Sequence, residues 1–274
     1  MGKFILSAFA DEIADDLKTQ MDVLEENGIK YIEMRGVNGK PLVRHSSEEV
    51  ETIKKELDRR GFKISAVGSP VGKIKITDDF EPHLELFKHT LKIAGLLETK
   101  YVRMFSFFMP EGKDPAVYRD EVMRRWREFI RAAEGTGLIL LHENEKEIYG
   151  DTPERCLDLL ETIGCSFMKA TFDPANFVQC GVETYPRAYG LLKDHIVCMH
   201  IKDAVYGDRH VVPAGEGDGK VYEILSALHA RGFEGFLSVE PHLNESMPGG
   251  GPELFKVACD ALKRILNKIT GEKY

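Results

Sequence analysis

The chain has 274 residues, with 37 lysines and arginines against 45 aspartates and glutamates, for a net charge of −8. Hydrophobic residues make up 43% and charged residues 30%, the balance of a folded globular chain. No run approaches the ~18 apolar residues of a membrane helix, and the acidic balance argues against a general nucleic-acid binder, which usually presents a basic face.

The first apolar run, Phe4-Ile5-Leu6-Ser7-Ala8, is followed closely by Asp11 and Glu12, so it reads as a buried strand rather than a signal segment. Short β-branched runs then alternate with longer amphipathic stretches along the chain. Strands are predicted at 4–8, 31–34, 63–67, 101–105, 138–143, 168–173, 196–201 and 236–240. Helices are predicted at 11–26, 46–60, 80–97, 115–134, 152–163, 184–192, 221–230 and 252–268. In the first helix Ile13, Leu17, Met21 and Leu24 recur at helical spacing, and in the second Ser46 and Glu49 fit a capping box. The stretch with Tyr118, Met123, Trp126 and Phe129 reads as outer-ring core or a subunit contact. The five cysteines are odd in number and form no CxxC. They read as reduced thiols in a cytoplasmic protein.

Alternating strands and helices imply parallel pairing, because parallel neighbours need a crossover. Eight units in about 250 residues is the size of a (β/α)₈ TIM barrel. An open doubly wound sheet would usually carry a glycine-rich loop after its first strand, whereas here Ala8-Phe9-Ala10-Asp11-Glu12 follows. No linker or composition shift divides the chain, so one domain over 1–274 is expected.

In such a barrel the chemistry gathers where strands end. Strand five ends in His142-Glu143-Asn144, strand six in Phe172-Asp173-Pro174, strand seven in His200-Ile201-Lys202-Asp203 and strand eight in Glu240-Pro241-His242. Glu143, Asp173, His200 and Glu240 are therefore expected at one mouth. Three carboxylates brought together repel, and a divalent cation resolves the repulsion. Oxygen ligands with one imidazole suit Mn²⁺ best, with Mg²⁺, Co²⁺ or Zn²⁺ as alternatives. For any one residue alone, a structural salt bridge or a helix cap is the better reading; the signal is the set of four.

Glu143-Asn144, Asp173-x-x-Asn176, His200-Ile201-Lys202-Asp203, Gly215-Glu216-Gly217 and Glu240-Pro241 resemble the pattern of the xylose isomerase-like TIM barrels. That superfamily includes sugar and sugar-phosphate isomerases and epimerases, inosose dehydratase and the endonuclease IV branch. The resemblance implies one divalent metal held by Glu143, Asp173, His200 and Glu240. It also implies that Glu143 and Glu240 act as the acid/base pair. The chain departs from the pattern in two places. Asn176 stands where many relatives have histidine, and Tyr206 stands where the 3-epimerases have arginine, with Arg209 and His210 slightly further on. Strands two to four end without the extra histidines that an endonuclease IV-like cluster needs.

Arg35, Lys73, Arg103, Asn176, Lys202, His210 and His242 are candidates to touch substrate. Arg35 could equally pair with Glu33 or another acid, Lys73 could be a solvated loop lysine, and Lys202 could balance the acids. His142 precedes Glu143 and strand alternation turns it away from the lumen. The segment 249–251 reads as a flexible loop or a phosphate-binding one, and Glu216 as a residue that orders its loop. The expectation is a metal-dependent isomerase or epimerase of a small sugar, polyol or sugar phosphate, with homo-oligomeric assembly as the leaning on subunit state. A dehydratase-like lyase on the same site and a non-catalytic sugar-binding barrel are the rivals. Neither nucleic acid nor membrane is an expected partner.

Overall fold

The structure is a computed structural model and describes residues 2–208 and 210–274. Eight strands close into a parallel barrel: β1 Lys3–Ala8, β2 Tyr31–Met34, β3 Lys63–Gly68, β4 Tyr101–Met104, β5 Ile139–Glu143, β6 Met168–Phe172, β7 Ile196–Ile201 and β8 Glu234–Val239. Neighbours follow chain order, and β1 closes the ring against β8 in register from Lys3↔Glu234 to Ala8↔Val239. This is the expected (β/α)₈ TIM barrel.

The helices are α1 Leu17–Glu26, α2 Ser47–Arg59, α3 Glu81–Leu96, α4 Arg119–Ala133, α5 Pro153–Ile163, α6 Pro174–Gln179, α7 Tyr189–Leu192, α8 Val221–Ala230 and α9 Gly251–Thr270. The capping box at α2 forms as expected: Ser46 Oγ accepts from the Glu49 amide at 3.3 Å, and the Glu49 carboxylate accepts from the Ser46 amide at 2.6 Å. The helix expected at 184–192 is α-helical only over Tyr189–Leu192, and three further differences from the sequence reading bear on the site. Asp11 and Glu12 lie in a 3₁₀ turn rather than in α1, which starts behind Asp16, whose side chain caps the Thr19 amide at 2.8 Å. The two acids are thereby left at the barrel mouth. The turn at Pro115–Tyr118 is likewise 3₁₀ and precedes α4. The short helix α6 falls where no helix was expected. Asp173-Pro174 supplies its N-cap and first position.

Outside the barrel, Trp126 and Phe129 of α4 are fully buried, so this stretch is core and not a surface. Phe129 packs on Phe87 with ring centroids 4.8 Å apart, and Trp126 meets His142 edge-on at 5.9 Å. His142 thus points outward, as alternation requires, and its Nε2 lies 3.0 Å from Ser106 Oγ. Among the described residues no helix is long and apolar enough to cross a membrane.

Candidate metal centre

Four consecutive strands deliver the expected quartet. Glu143 is the last residue of β5, and His200 is the fifth of six in β7. Asp173 and Glu240 directly follow β6 and β8. All four are buried, at 0–5% exposure. One ligand atom from each lies within 4.8 Å of the others. His200 Nδ1 stands 3.0 Å from Glu143 Oε1, 3.6 Å from Glu240 Oε2 and 4.0 Å from Asp173 Oδ2.

The donor atoms have the character a cation requires. His200 Nδ1 and Asp173 Oδ2 are buried and make no aligned hydrogen bond, although Lys202 Nζ lies 2.9 Å from the latter as an ion pair. The other imidazole nitrogen, Nε2, sits 3.1 Å from Glu33 Oε1. Glu33 is fixed in turn by Ser238 Oγ, which donates to its Oε2 at 2.6 Å. A carboxylate behind a histidine sets the ring orientation and leaves the opposite nitrogen free for a metal. Glu33 was read from the sequence only as a partner for Arg35. Arg35 instead reaches Asp11 at 2.7 Å, Glu12 at 3.2 Å and Glu240 at 3.3 Å.

Asp173 spends its two oxygens differently. Oδ1 accepts from the Asn176 amide at 2.9 Å and starts α6, while Oδ2 faces the quartet. Asn144 locks the backbone there, since its side chain both accepts from the Asp173 amide at 2.9 Å and donates to the Asp173 carbonyl at 2.8 Å. Asn176 donates to Glu143 Oε1 at 3.2 Å.

Cations surround the acids. Arg103 Nε lies 3.2 Å from Glu143 Oε2, and Lys202 Nζ lies 2.7 Å from Glu240 Oε2. His242 Nε2 sits 2.9 Å from Glu240 Oε1 and 3.1 Å from Glu12. Burial alone would raise every carboxyl here. At Glu143 the charges of His200 and Arg103 outweigh it and hold the group at about 2. At Glu240 Lys202 and His242 do the same, well below the usual range. Asp173 is the exception: burial outweighs Lys202 and lifts it to about 6. His242 is pushed up to about 9, because Glu12 and Glu240 overcome its burial. Phe9, fully buried, floors the site. It meets the His200 ring edge-on at 4.9 Å and lies beneath Arg35 at 5.0 Å.

A cavity of about 660 Å³ opens above this cluster and is lined by Arg35, Lys73, Arg103, Asn176, Lys202 and His242 among others. Six of the seven substrate candidates thus share one cavity. His210 does not line it; it is exposed and pairs with Asp208 at 2.8 Å. Arg209 lies outside the described residues. Glu216 is exposed and only 3.8 Å from Arg264, so it is Asp203 that orders the glycine-rich loop. Its carboxylate accepts from the amides of Ala204, Gly215, Gly217 and Gly219 at 2.7–3.2 Å. At the start of α9 the Gly250 amide is already taken by Glu253 at 2.5 Å.

Phe9, Glu12, Glu33 and Asp203 are the residues that sequence reasoning missed. For Glu33 a signal existed: a carboxylate inside the apolar strand Tyr31–Met34 must have a buried partner.

A closed parallel barrel with a buried acid and histidine cluster at its C-terminal mouth defines a TIM barrel that could bind a metal. Residues 21–265 match the family model for the xylose isomerase-like TIM barrel, and the chain belongs to that family. No curated protein matches it. Among solved structures it is similar to a xylose isomerase domain protein from Planctomyces limnophilus, at 16% identity over 99% of both chains with a TM-score of 0.76. It is also similar to an IolI protein with a bound zinc atom, at 19% identity over 98% of this chain and 100% of that one, TM-score 0.77. A third is the probable 3-DHS dehydratase AsbF from Bacillus anthracis, at 18% identity over 96% and 98%, TM-score 0.76. At such identities the likeness shows the fold.

Proposed function

We propose that this protein is a divalent-metal-dependent isomerase or epimerase of a small sugar, polyol or sugar phosphate. The observation that carries the proposal is the convergence of Glu143, Asp173, His200 and Glu240 on one buried point open to a cavity. These four would hold the cation, Mn²⁺ in preference to Mg²⁺, Co²⁺ or Zn²⁺. The cation, when bound, polarises a carbonyl and its neighbouring hydroxyl and so acidifies the C–H between them.

The chain's own residues supply the proton traffic. Glu143 and Glu240 are ionised at neutral pH, the state a base requires. One takes the carbon-bound proton. The other, having taken up a proton from water that enters the cavity, gives it to the opposite face in an epimerisation or to the adjacent carbon in an isomerisation, and the first then releases the proton it took to water. Arg103 orients Glu143, while Arg35 and His242 orient Glu240. Phe9 and the surrounding barrel keep water from the floor of the site.

Lys202 favours a second reading. Its ammonium lines the cavity beside Glu240 and is placed to protonate a departing β-hydroxyl, which would turn the same C–H abstraction into a dehydration. Product mass separates the two readings, being unchanged for an isomerase and lighter by one water for a lyase. The test is metal content of the purified protein, followed by solvent-deuterium exchange on a panel of sugars and sugar phosphates. Glu143→Gln and Glu240→Gln are each expected to lower exchange by a factor of about 10²–10⁴. Full exchange in both variants refutes the acid/base assignment.

A further inference from the structure

Lysine and arginine side chains outnumber glutamates in the lining of the cavity, six against four, although the whole chain carries a net charge of −8. Deep in the site the cations are spoken for. Arg103 faces Glu143 and Glu33, and Lys202 bridges Glu240 and Asp173. The surplus lies on the outer wall. Lys73 and Lys146 share a single acid, Glu145, at 3.1 and 2.8 Å. Arg44, in the turn after β2, makes no ion pair among the described residues. The fourth lining acid, Glu245, is exposed at the rim.

Lys73 is held in a defined place rather than waving from a loop. Gly72 has φ of +90°, and a Cβ there would stand 2.1 Å from the Phe105 carbonyl oxygen, so the loop after β3 presses directly on the end of β4. The Lys73 ammonium then sits 4.2 Å from the centre of the Phe105 ring. A concave wall with a surplus of one sign focuses potential on whatever enters. A neutral polyol gives that wall nothing to neutralise. A phosphate or carboxylate does, and guanidinium and ammonium groups bind both through charge-assisted hydrogen bonds.

We propose that the substrate carries an anionic group, a phosphate ester or a carboxylate, at the end remote from the reacting carbons, and that Arg44 and Lys73 hold it. The proposal rests on the metal-centred reaction above, which fixes the reacting end of the substrate at Glu143 and Glu240. It places the recognition of substrate class on the wall built by the loops that follow β2 and β3.

The experiment is calorimetric titration of the metal-loaded protein with three short probes of matched length: glycerol 3-phosphate, glycerate and glycerol. At least one anion is expected to bind about tenfold or more tightly than glycerol. Arg44→Ala and Lys73→Met are each expected to remove most of that advantage and to leave glycerol unchanged. Tighter binding of glycerol 3-phosphate identifies a phosphate ester, and tighter binding of glycerate identifies an acid. Anions that bind no better than glycerol overturn the proposal. So does an anion preference that survives both substitutions, since the metal or another group then holds the anion. Glu143→Gln separates this test from that of the reaction: it is expected to lose proton exchange and to keep the anion preference.

Discussion

Replacing Glu33 by glutamine tests the metal centre without touching a ligand. Glu33 Oε1 lies 3.1 Å from His200 Nε2, and its Oε2 is held by Ser238 at 2.6 Å. The amide keeps the size of the side chain and an acceptor oxygen but loses the charge. A hydrogen bond to a charged group contributes about 1.5–3 kcal/mol and a neutral one about 0.5–1.5. The difference, about 1–2 kcal/mol, comes directly off the basicity and alignment of the ring. It corresponds to a loss of metal affinity of roughly 5- to 30-fold. Competition for Mn²⁺ or Co²⁺ against a fluorescent chelator measures the change, with the melting temperature of the metal-free protein as a control on folding. An affinity within twofold of wild type, in a protein that melts normally, refutes the role of Glu33 and with it the use of His200 Nδ1 as a ligand.

Other outcomes follow from the same contacts. Lys202→Met leaves Glu240 and Asp173 without the ammonium 2.7 and 2.9 Å away. The metal-free protein is expected to lose about 3–5 kcal/mol and to regain most of it when metal saturates the site. Thermal melts with and without metal check this, and an unchanged metal-free melt refutes it. His83 Nε2 accepts the Gly72 amide at 2.7 Å, and burial holds both His83 and His142 at about 4. Each is depressed below the unfolded value near 6.5, so the stability they contribute is complete above about pH 6.5 and drains away as pH falls toward 4. Urea midpoints at pH 7 and pH 5 should therefore differ, and His83→Gln should narrow the gap. Asp203→Ala frees four backbone amides and is expected to cost about 3 kcal/mol or more. Faster proteolysis within the glycine-rich loop would accompany the loss, and a loop as resistant as wild type would count against the assignment.

The barrel was legible because each strand is a short apolar run and each gap holds a helical period long enough to cross over. The convergence of the quartet was legible because its four members close four successive runs, where an acid or imidazole has no reason to sit in pure core. The supporting residues were hidden for different physical reasons. Asp11 and Glu12 fit a helical pattern on local evidence, and only their pairing with Arg35, more than twenty residues away, holds them in a turn at the mouth. Glu33 sits inside a strand, where side-chain direction depends on a register that a single sequence does not state. That register shifts by one between Ile32 and Glu33 against β3. Arg44 reaches the cavity from a turn whose path no local pattern specifies. The helix α6 was readable in principle, since Asp-Pro is a familiar way to begin a helix, but its brevity disguised it.

The divided carboxylate of Asp173 carries a consequence for what the site will accept. With Oδ1 committed to the first turn of α6, the residue offers a single oxygen to the quartet and is unable to swing into a two-oxygen grip. The centre thereby limits the number of its own bonds to an ion. Were a cation bound by the quartet, Asp173 would give it one oxygen, and the side facing the cavity would stay open to oxygens from outside. A helix start thus decides how many oxygens Asp173 can turn toward the cavity.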